Sequence, residues 1–391
     1  MREVVIVDGM RTAFGRMGGA LRPFTPVQLA GMTIKGLCEK TDILNKGKVD
    51  AVFAGSASGD VNTHNFARYA SLIAGLPYET SATFIEMQCG SSIACINNAA
   101  LQIQAGIIDV AICGGAEAHS QDYYKFPASV EPYKDHPPTA APRRLAPTDE
   151  DNMSMIEISD GMAVKWGITR EQCDEFALRS QQRAAAAMDK GYFKDEIMPV
   201  EVKYTKKGET VIVDTDEHPR ANTTLEGLAK LRPVNAGGVT TAGNASGMND
   251  ASSGVILMSE EKAKEVGAPI LARIVSVATT GVRPEVMGIG PISASQKALK
   301  KAGLTIDDID LFEINEAFAS QCIACAKTLR IDEEKLNVNG SGISLGHPVG
   351  ATGSRLVVTL LHELKRRGGK YGLASLCAGG GMGTTVIIEV L

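Results

Sequence analysis

Four short stretches hold side chains that could do chemistry together. The first is Cys89-Gly90-Ser91-Ser92, between a β-like run and the start of an apolar helix (Ile93, Ile96, Ala100, Ile103). A thiol at a helix N-terminus faces free N–H groups and the positive end of the dipole, and both favour the nucleophilic thiolate. A buried, inert cysteine is the alternative, and it is the default for Cys38, Cys95, Cys113 and Cys173. The second is Gly346-His347-Pro348, at the head of another helix. Glycines on both sides give its backbone unusual freedom, and a histidine held this way is a candidate general base. His362 lies in a charged helical stretch and reads as solvated; His64, His119, His136 and His218 have no comparable setting. The third is Cys377-Ala378-Gly379-Gly380-Gly381, where a strand-end thiol and backbone N–H groups could converge as in an oxyanion hole. The fourth is Asn315-Glu316-Ala317-Phe318-Ala319, at a strand-to-helix junction. Asn315 there could hold a water or a substrate oxygen, or simply cap the helix.

Two weaker signals lead nowhere. Cys322-x-x-Cys325 is half of a zinc pattern with no second pair, and its spacing fits one helix face. No G-x-G-x-x-G follows a strand, so a dinucleotide site is not supported.

Short strands alternating with helices must position these residues. Strands are expected at Val4–Val7, 52–54, 83–87 and 110–113, with helices over 25–39, 64–74 and 92–104. A long helix should start at the cap Thr169, with Gln172 three residues on, and stop at Gly191. Loop and short strand fill 192–240, and a strand and helix occupy 249–265. The pattern then restarts: strands at 270–278, 309–314, 337–339, 373–377 and 384–390, and helices at 293–302 (capped by Ser293), 316–330 and 352–367. Strand, special turn, apolar helix, strand and Cys-Gly thus occur twice, which suggests a duplicated α/β unit with the two turns meeting at the junction. Residues 119–153 differ. They hold six of the 16 prolines (Pro127, Pro132, Pro137, Pro138, Pro142, Pro147) with Tyr123, Tyr124, Phe126 and Tyr133. A long loop of this kind is usually a cap or a packing arm.

Composition narrows the class. Of 391 residues, 40 are Lys or Arg and 45 are Asp or Glu, a net charge of -5, which argues against a nucleic-acid binder. Glycine is 41 of 391, about 10%, against a usual share of about 7%, so tight turns are frequent. No apolar run is long enough to cross a membrane, and neither a signal peptide nor a C-terminal SKL address is visible. Eight cysteines in a chain of this length read as reduced, cytoplasmic thiols.

Taken together, the four stretches and Gly243–Asp250 (GNASGMND) resemble the thiolase family over essentially the whole chain. The resemblance implies an α/β fold: duplicated halves in a five-layered αβαβα core with an inserted loop domain. It divides the chain into an N-terminal half (1–118 plus 247–268), a loop or cap domain that binds coenzyme A (119–246) and a C-terminal half (269–391). It implies an acyltransferase carrying out a reversible Claisen condensation: two acetyl-CoA give acetoacetyl-CoA and CoA, or a 3-ketoacyl-CoA is cleaved. By resemblance, Cys89 carries the acyl group, His347 removes its proton, and Cys377 moves the α-carbon proton. Asn315, through a water, and His347 would form one oxyanion hole; the N–H groups of Cys89 and Gly379 would form the other. Ser246 matches a pantetheine contact and Arg220 an adenine contact, Met155 and Met287 match the acyl-pocket walls, and Phe318 is implied among the substrate- or CoA-binding residues. No metal or redox cofactor is implied, only CoA thioesters as substrates, and the expected assembly is a homotetramer, a dimer of dimers, with no nucleic-acid or membrane partner.

The chain departs from the common family pattern at Gln88, at Ser154 (often His), at Asn235 (usually aromatic) and over 119–153. Alternatives are a degradative thiolase for longer or aromatic chains, a decarboxylating synthase, which would place His or Asn at 377, and a partner-dependent acyl-CoA-binding subunit. Cys89 and Cys377, if their Cα atoms lie within about 7 Å, could also form an inactivating disulfide on oxidation.

Overall fold

The computed structural model describes residues 2–127, 139–141, 144–204 and 208–391. Pro132, Tyr133, His136, Pro137, Pro138 and Pro142 lie outside the described residues.

The first half runs β1 (Val4–Thr12), α1 (Pro26–Thr41), β2 (Ala51–Gly55), α2 (Phe66–Ile73), β3 (Ser81–Ile85), α3 (Ser91–Gln104) and β4 (Val110–Ala118). The inserted segment supplies α4 (Met155–Trp166) and α5 (Arg170–Asp189), and β5 (Asn249–Ser259) returns to the sheet. The second half runs β6 (Ala272–Gly281), α6 (Gly290–Ala302), β7 (Leu311–Ile314), α7 (Ala319–Leu329), α8 (Thr352–Arg367), β8 (Tyr371–Ala378) and β9 (Met382–Val390).

Strand order is β7-β8-β9-β6-β1-β5-β4-β2-β3. Its two ends mirror each other. β3, β2 and β4 are parallel, and β5 and then β1 join antiparallel. β7 and β8 are parallel, and β9 and then β6 join antiparallel. The half-sheets meet through the pairs Val5–Arg273 and Ile6–Ala272. α3 and α8 touch each other and both half-sheets, so they form the middle layer. α1 and α2 cover the first half-sheet and α6 the second, giving five layers. Ile93, Ile96, Leu356, Val357, Leu360 and Leu361 of the middle layer share one buried cluster, and its buried polar groups, such as Arg355 and Ser354, are hydrogen-bonded.

Four expectations change. No strand forms at 337–339; only a bridge between Phe312 and Leu336 remains. The Asn337 side chain takes the ladder's place, with Oδ1 accepting from Ile314 N (2.9 Å) and Nδ2 donating to Ile314 O (2.8 Å). The helix expected from Ser293 starts at Gly290, because Pro291 suits a first turn that needs no donor. The helix expected from Glu316 starts at Ala319, since Phe318 is extended and bridges Ala245. Residues 192–240 contain a hairpin (Val200–Tyr204 with Glu209–Val213) and a short helix (Leu225–Ala229). The cap Thr169 does form the expected reciprocal box with Gln172.

A buried ion cluster ties the insertion to the core. The Arg11 guanidinium lies between the Phe14 and Phe193 rings, 5.2 Å from each centroid. It donates to Glu196 (2.7 Å) and to both oxygens of Asp216 (2.6 and 2.9 Å). Asp216 Oδ1 also accepts from Phe14 N (2.7 Å). Arg11→Met should therefore cost about 3–5 kcal/mol, because it strands two buried carboxylates. Urea denaturation checks this; a loss below about 1 kcal/mol, the range of exposed pairs, would contradict it.

Candidate active site

Cys89 sits where β3 gives way to α3. Gln88 takes a left-handed backbone (φ 49°), and residues Gln88–Gly90 form one tight turn. Ser91 Oγ clamps that turn: it accepts from Met87 N (2.9 Å) and donates to Gln88 O (2.6 Å). The backbone N–H groups of Gly379 and of Cys89 itself face the sulfur. Burial nevertheless pushes the thiol up to about 11, with Glu117 and Glu86 adding to it. The expected thiolate is thus not the resting form. A helix terminus contributes about 0.3–1 kcal/mol, and desolvation outweighs that here.

His347 follows Gly346, whose φ of 106° only glycine adopts freely. A Cβ there would also stand 2.4 Å from Asn249 Oδ1. That oxygen accepts from the His347 backbone N–H (3.0 Å). Nδ1 of the ring lies 2.6 Å from Thr352 Oγ1, and this hydroxyl donates to Pro348 O (3.0 Å). The hydroxyl's single hydrogen is thereby spoken for, so its oxygen accepts from Nδ1–H. Nε2 keeps its lone pair, 3.4 Å from Asn315 Nδ2. Burial, with the charges of His119 and Arg355, drives the imidazole down to about 3, so it is neutral at physiological pH. A neutral imidazole whose unprotonated Nε2 meets only the Asn315 amide among the described residues has the form a proton acceptor needs.

Asn315 follows β7 and caps nothing, since α7 starts four residues later. Its N–H donates to Ser375 O (3.1 Å), while its buried Oδ1 has no hydrogen-bond partner among the described residues. Glu316 beside it is fully enlisted. Its carboxylate accepts from Ser180 Oγ (2.6 Å), Ile343 N (3.2 Å) and Asn337 Nδ2 (2.9 Å). It thereby staples the turn ahead of His347 to the Asn315 loop.

Cys377 lies near the end of β8, opposite Gly383, and is buried. Burial and the neighbouring Cys89 push its thiol well above the ordinary value. Gly380 and Gly381 are left-handed (φ 86° and 90°), and a Cβ at Gly381 would stand 2.3 Å from Val282 O. Leu145, from the inserted loop, lies over the run: a Cβ at Gly379 would stand 3.1 Å from its Cδ2. Both thiols are free.

The two helix heads are in contact. Ser354 N on α8 donates to Ser92 Oγ on α3 (2.9 Å). Glu117, at the end of β4, crosses the same seam. It accepts from Gly350 N (2.8 Å), Ala57 N (2.8 Å), Ser58 N (3.1 Å) and Ser56 Oγ (3.0 Å).

The remaining expected site residues fall into two groups. Met287, Phe318 and Cys377 share one buried cluster, and Met155 packs half-buried against it. Ser246 is half-buried and donates its backbone N–H to Ala317 O (3.0 Å), so GNASGMND runs alongside NEAFA. Arg220 is exposed, its backbone N–H held by Gln181 Oε1 (2.7 Å). Ser154 caps α4, and Asn235 donates to Asp160 (3.1 Å).

Sequence reasoning passed over Glu117, Glu316, Asn249 and Thr352. A lone acid among the small residues of CGGAEA was the available signal for Glu117. One histidine also differs from expectation. His362 is half-buried rather than solvated, because α8 is enclosed on nearly every side. His119 is buried beside Asp122.

A model of the thiolase N-terminal domain matches residues 4–261, and one of the thiolase C-terminal domain matches 268–390. The chain belongs to the thiolase family. It is an acyltransferase. It is 45% identical to a protein named acetyl-CoA acetyltransferase in Chromobacterium violaceum, with 99% of each chain covered. It is 43% identical to a protein named beta-ketoadipyl-CoA thiolase in Acinetobacter baylyi, over 100% of each chain. The crystal structure of the Bacillus anthracis acetyl-CoA acetyltransferase superimposes with a TM-score of 0.94 at 43% identity, covering 100% of this chain and 99% of that one.

Thr352→Val should leave the thiolase fold intact and lower kcat by about ten- to a hundredfold, a share of the about 10²–10⁴ that a positioned base contributes. Circular dichroism and steady-state thiolysis check this. An unchanged kcat would show that the Nδ1 contact does not orient the ring.

Proposed function

We propose that this thiolase condenses two acetyl-CoA into acetoacetyl-CoA and free CoA, and cleaves short 3-ketoacyl-CoAs in reverse, through an acyl group on Cys89. The observation that carries this is a protonated thiol, faced by two backbone N–H groups, and a neutral imidazole with an unprotonated Nε2, on two helix heads joined by Ser92 and Ser354. His347 Nε2 takes the Cys89 proton. The thiolate attacks the thioester carbon, and the N–H groups of Cys89 and Gly379 receive the charge that develops on oxygen. Removing one such donor typically costs about 10²–10³ in kcat. CoA leaves as its thiol, with the proton of Cys377, which becomes a thiolate, while His347 keeps the Cys89 proton on Nε2. Cys377 then takes the α-proton of the second acetyl-CoA. The enolate oxygen is held by His347 and by a water on Asn315. The enolate carbon attacks the acyl carbon, and Cys89 departs, regaining its proton from His347 Nε2. Low-dielectric surroundings strengthen each of these contacts.

Ser246 and Arg220 are assigned to CoA, and Met155, Met287 and Phe318 to the acyl group. Two methionines and a phenyl ring packed near Cys377 support a short chain. The names of the acetyl-CoA acetyltransferase relatives support the same reading. A second reading, cleavage of longer 3-ketoacyl-CoAs, draws on Met155. It is only half-buried, and a flexible thioether can swing aside. We also propose a homotetramer, a dimer of dimers. One of its contacts would use β3, an edge strand whose outer side has no partner among the described residues. Eight free cysteines support a reducing, cytoplasmic setting.

Cys89→Ala should abolish the acyl-enzyme seen by intact mass after mixing with acetyl-CoA; persistence of the adduct would sink the assignment. Thiolysis of 3-ketoacyl-CoAs of increasing chain length should peak at acetoacetyl-CoA, and a maximum at longer chains would replace the first reading with the second. Sedimentation should give four chains per particle, and a monomer would remove the tetramer.

A further inference from the structure

His119 lies outside the residues assigned so far. It follows β4 directly, in the short turn His119–Gln121. It is buried, at 7% exposure. Buried ring nitrogens normally have partners. Here Nδ1 meets Asp122 Oδ2 at 3.1 Å, but Nε2 has no hydrogen-bond partner among the described residues.

The strand register brings His119 to the base of the His347 turn. Ala118 pairs with Asp250, the neighbour of Asn249, and Asn249 Oδ1 holds the His347 backbone N–H. Glu117, two residues before His119, holds Gly350 N of the same turn. The ends of β4 and β5 thus form the floor on which that turn rests.

Charged groups face this spot from every side. Asp122 comes from the same short turn, Glu117 from β4 and Asp250 from β5. Burial opposes a cation at His119, but the hydrogen bond to Asp122 and the three carboxylates outweigh it and raise its basicity. From the second half, His347 faces His119, and Arg355 on α8 acts on His347. His218, 3.5 Å from Asn249, is held neutral by burial, at about 4. Among the three imidazoles here, His119 is the one whose basicity is raised, while those of His347 and His218 are lowered.

We propose that His119 is a positioning residue for the thiol–imidazole pair: with Asp122 it sets a titrating cation behind the turn that carries His347, and that charge governs how readily His347 takes the Cys89 proton. The inference rests on the roles given to Cys89 and His347 above. A protonated His119 opposes a second cation at His347, and a neutral one does not. No bond forms or breaks at His119. Since its basicity is raised in the folded protein, the cation is present below that raised value and lost above it. Transfer of the Cys89 proton therefore weakens as pH falls through the His119 titration, which lies above the ordinary imidazole value of about 6.5.

The test is alkylation of Cys89 by iodoacetamide in the full-length enzyme, followed by intact mass from about pH 5 to about pH 9, with thiolysis kcat/KM measured alongside. The parent should show an extra bend above the ordinary imidazole value. His119→Gln should lose the bend, with alkylation at the acid end about three- to tenfold faster than the parent, the factor given by half to one unit of basicity at His347. Asp122→Asn removes the carboxylate partner at a part-exposed position, so it tests the idea even if the His119 variant fails to fold. It should move the bend to lower pH. A bend that stays in place in either folded variant overturns the proposal. Cys89→Ser, run in parallel, separates the two failures. If it retains turnover, the assignment of Cys89 falls. If it is inactive while His119→Gln keeps the bend, only the role of His119 falls.

Discussion

The site depends on the contact between two helix heads at the seam of the duplicated halves. α3 presents Cys89 and α8 presents the His347 turn, and Ser92 and Ser354 join them directly. Neither half could hold both groups alone. Glu117 makes the contact specific. A buried carboxylate is costly unless its lone pairs are satisfied, and four donors from two separate loops satisfy this one. Moving the halves apart would strand it.

Glu316 plays the matching part within the second half. It ties Ser180 of the inserted segment, the turn ahead of His347 and Asn337 to one carboxylate. Asn337 in turn occupies the place of the missing strand through its side chain. The duplication is therefore asymmetric where it matters. In the first half a full strand, β3, leads to the nucleophile; in the second an amide and a carboxylate stand in for the strand that would lead to the base. The GNASGMND segment then runs past both NEAFA and the His347 turn, bridging Phe318 through Ala245 and His347 through Met248.

Burial sets the resting protonation of the site. It raises both thiols and lowers the imidazole, so the uncharged forms prevail until a substrate develops charge against the waiting N–H groups. Preorganised donors cost no rearrangement at that moment. The glycines serve the same end. Gly346, Gly380 and Gly381 are left-handed where the chain must turn closely enough to point N–H groups and an imidazole inward.

Apart from α4 and the strand expected at 337–339, the sequence alone carried the order of strands and helices, the repeat and the four motif stretches. Those features are local. Apolar periodicity, the cap at Thr169 and the glycine turns act within a few residues and survive in any context. Tertiary structure decided the rest. Cys89 looked like a thiolate because its helix terminus is legible in one dimension, whereas the desolvation that reverses this comes from residues far away in the chain. Glu117, Glu316 and Asn249 act across separations that no local pattern records. His119 had no visible setting until β4 and β5 were paired, because only that register brings Asp250 and the floor of the His347 turn to it. Side-chain types determined which chemistry is possible; the packing of two halves against each other determined which protons are in place to carry it out.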